Sequence, residues 1–133
     1  MKHLALFSAG AVGSVIASFF GGWSAAMTTL SVFVCIDYLS GLVVALIFHK
    51  STKTETGGAS SMVGAKGLFK KIAMFCLVAV ANRLDIMFAT EYIQDMVCIS
   101  FIINELISIV ENFGLMGVPM PKIIIKAIDL LKK

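Results

Sequence analysis

Two carboxylates stand where acid side chains are rarely found. Asp37 lies inside one long apolar stretch and Glu105 inside another. A lone carboxylate in hydrocarbon costs roughly 2.5–3.5 kcal/mol on insertion scales, so each must be protonated, partnered or turned to water. For Asp37 the plainer alternative is a structural hydrogen bond near Tyr38 or Ser40. Around Glu105 the polar residues repeat at helical spacing. Asn104, Ser108 and Glu111 follow i, i+4, i+7, and Glu105, Ser108 and Asn112 follow i, i+3, i+7. Both sets fall on one side of a helix whose other side carries Ile102, Ile103, Ile107 and Val110. Such a face lines an aqueous lumen or bonds to neighbouring helices. Glu111 and Asn112 have a simpler place among lipid headgroups, which Glu105, deeper in the run, does not reach. Asn82 and Asp85 add a further polar pair within an apolar run.

This is the chemistry of hydration and hydrogen bonding, not of bond making. The sequence contains no Gly-rich phosphate loop, nucleophile elbow or HExxH. Cys35, Cys76 and Cys98 sit in apolar runs without a CxxC pair, and with His3 and His49 they make no metal-ligand spacing. They read as small hydrophobes. No catalytic residue, cofactor or metal is expected.

The elements that position these groups follow from composition. The chain is 59% apolar and 14% charged, against about 45–50% and about 25% in soluble domains. Its mean hydropathy is +0.96. A soluble core of this size could not hide so much apolar surface, and the chain belongs to the membrane class. The net charge of +3 is too small and too scattered for nucleic acid.

Leu4 to Ile36 carries no Asp, Glu, Lys or Arg. As one helix it would reach about 50 Å at 1.5 Å per residue, beyond a hydrocarbon core of about 30 Å. It must fold back, and Gly21-Gly22 is the natural break. The reading is a first span over about 4–20 and a second over about 25–48, with Trp23 at the interface. A third runs over about 72–89 and is the weakest, because Asn82, Arg83 and Asp85 sit in its last third. A fourth runs over about 93–110. A secretory signal competes for the first span, since Ser24-Ala25-Ala26 resembles a cleavage site. Its positive flank is only Lys2, and the span is expected to be retained.

Residues 49–71 are polar and basic and read as a flexible loop, with Lys50, Lys53, Lys66, Lys70 and Lys71 against Glu55. Positive charge places this loop in the cytoplasm, together with the tail of Lys122, Lys126, Lys132 and Lys133. The connection bearing Asp85, Glu91 and Asp95 then faces outside. The expectation is an all-α integral membrane protein of one domain, with four spans and both termini inside. The alternative is three spans, with the first helix cleaved or lying on the surface.

Two further features concern assembly. The first span has two stripes of small residues, Ala9/Gly13/Ala17/Gly21 and Gly10/Ser14/Ser18/Gly22. Small residues at that spacing let backbones approach closely in lipid, either within one bundle or between subunits. The tail over 122–133 is amphipathic, with Lys122, Lys126, Asp129 and Lys133 on one face. Ile123, Ile124, Ala127, Ile128 and Leu131 form the other, and Pro119 and Pro121 set the tail apart. It suits the surface of the anionic inner leaflet.

At these residues the chain resembles the toxin-secretion/phage-lysis holin family. The most specific block is Asn104-Glu105-x-x-Ser108-Ile109-x-Glu111-Asn112-x-Gly114-x-x-Gly117-x-Pro119-x-Pro121. Three weaker blocks agree in order: Asp37-Tyr38-x-x-Gly41, Ser60-Ser61-x-x-Gly64-x-Lys66-Gly67-x-x-Lys70-Lys71, and Ala81-Asn82-x-x-Asp85. The first span lies outside them. The resemblance implies a non-enzymatic protein of the bacterial cytoplasmic membrane. Such proteins assemble with copies of themselves among lipids and open holes that pass an endolysin or a toxin. Its rivals are a small proton-coupled transporter or channel, with Asp37 and Glu105 as coupling carboxylates, and an antiholin-like regulator.

Overall fold

The computed structural model describes residues 1–132, the last by its backbone alone. Lys133 and the side chain of Lys132, two of the expected membrane-surface lysines, lie outside the described residues. The described residues are helical throughout their regular structure. The helices are α1 (Lys2–Phe19), α2 (Ala25–Val43, continued by a π-helical turn Val44–Phe48), α3 (Ser61–Phe88), α4 (Ile93–Leu115) and α5 (Lys122–Lys132).

The first break falls at the expected glycines. Gly21 and Gly22 both take positive φ, 71° and 96°, a region open to glycine at little cost. Their amides return to the last carbonyls of α1, Gly21 to Ser18 and Gly22 to Ala17. The Ser24 hydroxyl then starts α2 by accepting the Met27 amide at 3.2 Å. The acidic connection forms as tightly. Both Asp85 carboxylate oxygens are engaged: Oδ1 accepts Thr90 Oγ1 at 2.6 Å and the Ile93 amide at 3.0 Å, and Oδ2 accepts the Gln94 amide at 2.9 Å. A residue of α3 thus satisfies the opening amides of α4.

The loop of residues 49–71 is shorter than expected. Helix α3 begins at Ser61, not near Ile72, because the Ser60 hydroxyl accepts the Val63 amide at 3.4 Å. Residues 61–71 are therefore helical. The remaining loop is held by bonds of its own, from the Ser51 amide to Gly57 O at 2.9 Å and from Thr54 Oγ1 to Gly58 O at 2.8 Å.

Helix α4 is the centre of the bundle, packing most extensively on α2 and then on α3, with α5 against it. The core is small: Met27 and Leu30 of α2, Val78 of α3 and Cys98 of α4 are fully buried. Most remaining apolar surface faces outward, including Leu4, Phe7, Phe69 and Met87. That distribution suits lipid and not water. Helix α1 buries no residue at all.

Among the described residues three helices are long and apolar enough to cross a membrane: Lys2–Phe19, Ala25–Phe48 and Ile93–Leu115. Helix α3 is the longest, at 28 residues, yet Lys70 and Lys71 near one end and Arg83 and Asp85 near the other shorten its uncharged stretch. The shortfall from four falls on α3, whereas the three-span alternative had put it on the first helix.

Candidate functional site: a buried charge cluster

Asp37 and Glu105 meet in the structure, and a lysine lies between them. Lys71 Nζ donates to Asp37 Oδ2 at 2.7 Å and to Glu105 Oε2 at 2.8 Å. The three residues are 4%, 9% and 6% exposed in the order Asp37, Lys71, Glu105. They come from α2, α3 and α4, so the cluster ties together three helices, two of which (α2 and α3) otherwise touch little.

Asn112 completes the cluster one side of α4 further on. Its Nδ2 lies 3.0 Å from Asp37 Oδ1, 3.1 Å from the Asp37 carbonyl and 2.9 Å from Ser40 Oγ. The Ser40 hydroxyl in turn donates to the Asp37 carbonyl at 3.1 Å. Among the described residues no buried side-chain polar atom lacks a hydrogen-bond partner. Charge-assisted bonds of this length are about twice as strong as neutral ones, which is what makes such burial tolerable.

Two small residues of α3 lie against α2. The Tyr38 hydroxyl donates to the Gly64 carbonyl at 3.2 Å. A side chain at Gly64 would begin 3.5 Å from that hydroxyl, and one at Gly67 would begin 3.9 Å from the Tyr38 ring. The Tyr38 ring thus lies against this stretch of α3, both distances being ordinary van der Waals contact. Beneath the loop is a cavity of about 100 Å³. It runs from Ser51, Thr52 and Thr54 to Asp37, Lys71 and Asn112.

The structure sorts the other expected residues. The polar face of α4 divides: Glu105 and Asn112 are buried and Ser108 half-buried, while Asn104 and Glu111 point outward. The partner of Glu105 is Lys71. Asn82 and Asp85 belong to the opposite end of the bundle. Asn82 Nδ2 donates to the Phe19 carbonyl at 3.2 Å, and Gln94 Nε2 to the Phe20 carbonyl at 2.9 Å. These two amides hold the end of α1, and Asp85 caps α4. The small-residue stripes are almost wholly free. Gly10 and Gly13 have no neighbour within 4 Å of where a side chain would start, Ala9, Ser14, Ser18 and Gly22 are exposed, and only Ala17 is half-buried. Gly21 alone abuts another helix, through the Asn82 side chain. On α5, Ile128 is buried and Ile124 half-buried, whereas Ile123, Ala127 and Leu131, expected on the same face, are exposed with Lys122, Lys126 and Asp129.

Lys71 is the residue that sequence reasoning missed. It was counted among the loop lysines because a lysine next to Lys70 and after a Gly/Ser-rich stretch looks solvated. The available signal was the Gly64-x-x-Gly67 spacing one turn before it, which marks a helix packed against a neighbour.

An all-helical bundle that exposes apolar side chains and buries an ion cluster defines an integral membrane protein. The model of the Bacteriophage holin family matches residues 14–133, and the chain belongs to that family, whose members are not enzymes. Among relatives, an uncharacterized protein of Halalkalibacterium halodurans is 36% identical over 99% of this chain and 96% of its own length. An uncharacterized protein of Listeria innocua is 36% identical over 84% of this chain and 75% of its own. An uncharacterized 14.9 kDa protein in the nagH 3' region of Clostridium perfringens is 31% identical over 90% of this chain and 86% of its own. No solved structure matches the chain.

Proposed function

We propose that this chain is a holin that assembles with copies of itself in the bacterial cytoplasmic membrane and opens holes for an endolysin or a toxin. The observation that carries the reading is the Asp37–Lys71–Glu105 cluster. Within one chain the lysine bonds both carboxylates away from lipid, so the protein can accumulate closed. Each of them is costly in hydrocarbon and stable in water, so the same groups favour any assembly that gives them a wet lumen. Helix α1, with its small residues unoccupied by its own bundle, supplies a surface on which copies can meet.

In this reading α3 also crosses the membrane, since the cluster pairs the charge of Lys71 and the α4 cap holds Asp85 by hydrogen bonds at the membrane edge. Four spans put both termini and the loop of residues 49–60 in the cytoplasm, where the lysines concentrate. Helix α5 lies on the anionic inner leaflet through Lys122 and Lys126, with Ile123 and Leu130 toward the acyl chains.

Induced expression in a bacterium tests the reading. The expected result is an abrupt loss of membrane potential together with leakage of a cytoplasmic reporter enzyme. The cavity that reaches Asp37 and Lys71 from one side favours a second reading, a proton-coupled channel. Solute flux coupled to ions, through a fixed small oligomer and without release of any protein, would favour that reading and sink the first.

A further inference from the structure

The cavity beneath the loop of residues 49–60 joins two unlike environments. One end is lined by Ser51, Thr52, Thr54 and Ser60, and the other ends on Asp37 and Lys71. Its volume, about 100 Å³, exceeds the roughly 10–15 Å³ that one water needs, and its polar lining provides the partners that a buried water requires. Toward the opposite end of the bundle the fully buried Met27, Leu30, Val78 and Cys98 close the way. The cavity therefore opens the cluster toward the loop side.

The charges of the cluster do not balance. Two carboxylates and one ammonium leave a formal charge of −1 in apolar surroundings, where an uncompensated charge is neutralised by a proton before it is tolerated. Hydrogen bonding decides which carboxylate takes it. Asp37 accepts on both oxygens, from Lys71 on Oδ2 and from Asn112 on Oδ1, so neither oxygen is free of a donor. Glu105 accepts Lys71 on Oε2. The groups facing the cluster are Asp37 and Tyr38 from α2, Lys71 from α3 and Glu105 from α4, with Lys53 of the loop lining the cavity. The Tyr38 hydroxyl is spent on Gly64, and Lys66 and Lys70 are exposed.

We propose that Glu105 is a proton-binding site supplied from loop-side water by way of Lys71, on which the cavity ends and which bonds to Glu105, and that its single proton neutralises the closed cluster. Loading transfers a proton from hydronium to the Glu105 carboxylate and leaves water behind, while Asp37 and Lys71 stay an ion pair. Unloading restores the −1 and favours whatever state hydrates it. That last consequence rests on the holin reading; the proton site does not.

Infrared spectroscopy of the protein in lipid bilayers tests the site through the carbonyl band of a protonated carboxylic acid, identified by its shift in deuterated water. The wild type should show one such band, lost as pH rises. Glu105→Gln should abolish it. Asp37→Asn should weaken it, because one carboxylate then matches one ammonium. Lys71→Met should about double its area, because two carboxylates then lack a cation. In a background without Cys35, Cys76 and Cys98, a bulky thiol adduct on Thr52→Cys should slow the response of the band to a loop-side pH jump at least tenfold. A band that survives Glu105→Gln, no pH-sensitive band in the wild type, or an unslowed adduct would overturn the proposal. A wild type with the band that releases no reporter enzyme would support the proton site and overturn the assigned function.

Discussion

Lys71→Met removes the one cation that two buried carboxylates share. Methionine has a similar length and adds no polar group, so the change isolates the ammonium. Both bonds are short, 2.7 and 2.8 Å, and both carboxylates are buried. Breaking a buried pair by taking away one partner costs about 3–5 kcal/mol where the orphaned groups keep their charge, and less where they take up protons. At about 1.4 kcal/mol per factor of ten, the closed form with its carboxylates charged should lose about two to three and a half orders of magnitude against any form that hydrates the carboxylates. The assay is the onset of leakage of a cytoplasmic enzyme, compared at matched amounts of protein in the membrane. Lys71→Met should open early, or fail to accumulate because the bundle comes apart. The triple variant Asp37→Asn, Lys71→Met, Glu105→Gln removes all three charges and should recover accumulation and delay opening. If Lys71→Met accumulates like the wild type and opens at the same time, the cluster does not hold the closed state and the argument fails.

Three more outcomes follow from other parts of the molecule. In a background lacking the native cysteines, an impermeant thiol reagent applied to intact cells before opening should label a cysteine at Glu91 and spare one at Ser60; efficient labelling at Ser60 would refute the cytoplasmic placement of the loop. Gly13→Leu should leave the bundle unchanged, since nothing lies within 4 Å, but should thin the crosslinking ladder of oligomers; an unaltered ladder would make α1 an anchor only. Asp85→Ala leaves the amides of Ile93 and Gln94 and the Thr90 hydroxyl without their acceptor, and should cost about 1–3 kcal/mol, read as a lower unfolding temperature in detergent with the charge cluster intact.

The sequence by itself determined the class of the protein and most of its helices. Hydropathy over Leu4–Ile36, together with Gly21-Gly22, was enough to place α1 and α2, because a charge-free run longer than the bilayer has to turn where the backbone allows positive φ. It also singled out Asp37 and Glu105, since carboxylates in apolar runs require an explanation wherever they sit. Only the tertiary structure decided what that explanation is. Helical periodicity gives the face of a residue on its own helix, not which helix that face meets. Thus Asn104 and Glu105, adjacent in sequence and grouped on one polar face, part company: one faces outward and the other faces Lys71. Lys71 lies 34 residues from each of its partners, and only the packing of α3 on α2 and α4 brings them together. Asp85, alike in type and setting to Asp37, became a helix cap because the turn after α3 brings the amides of α4 to it. A charge in an apolar run announces that it must be satisfied, but only packing brings up the group that satisfies it.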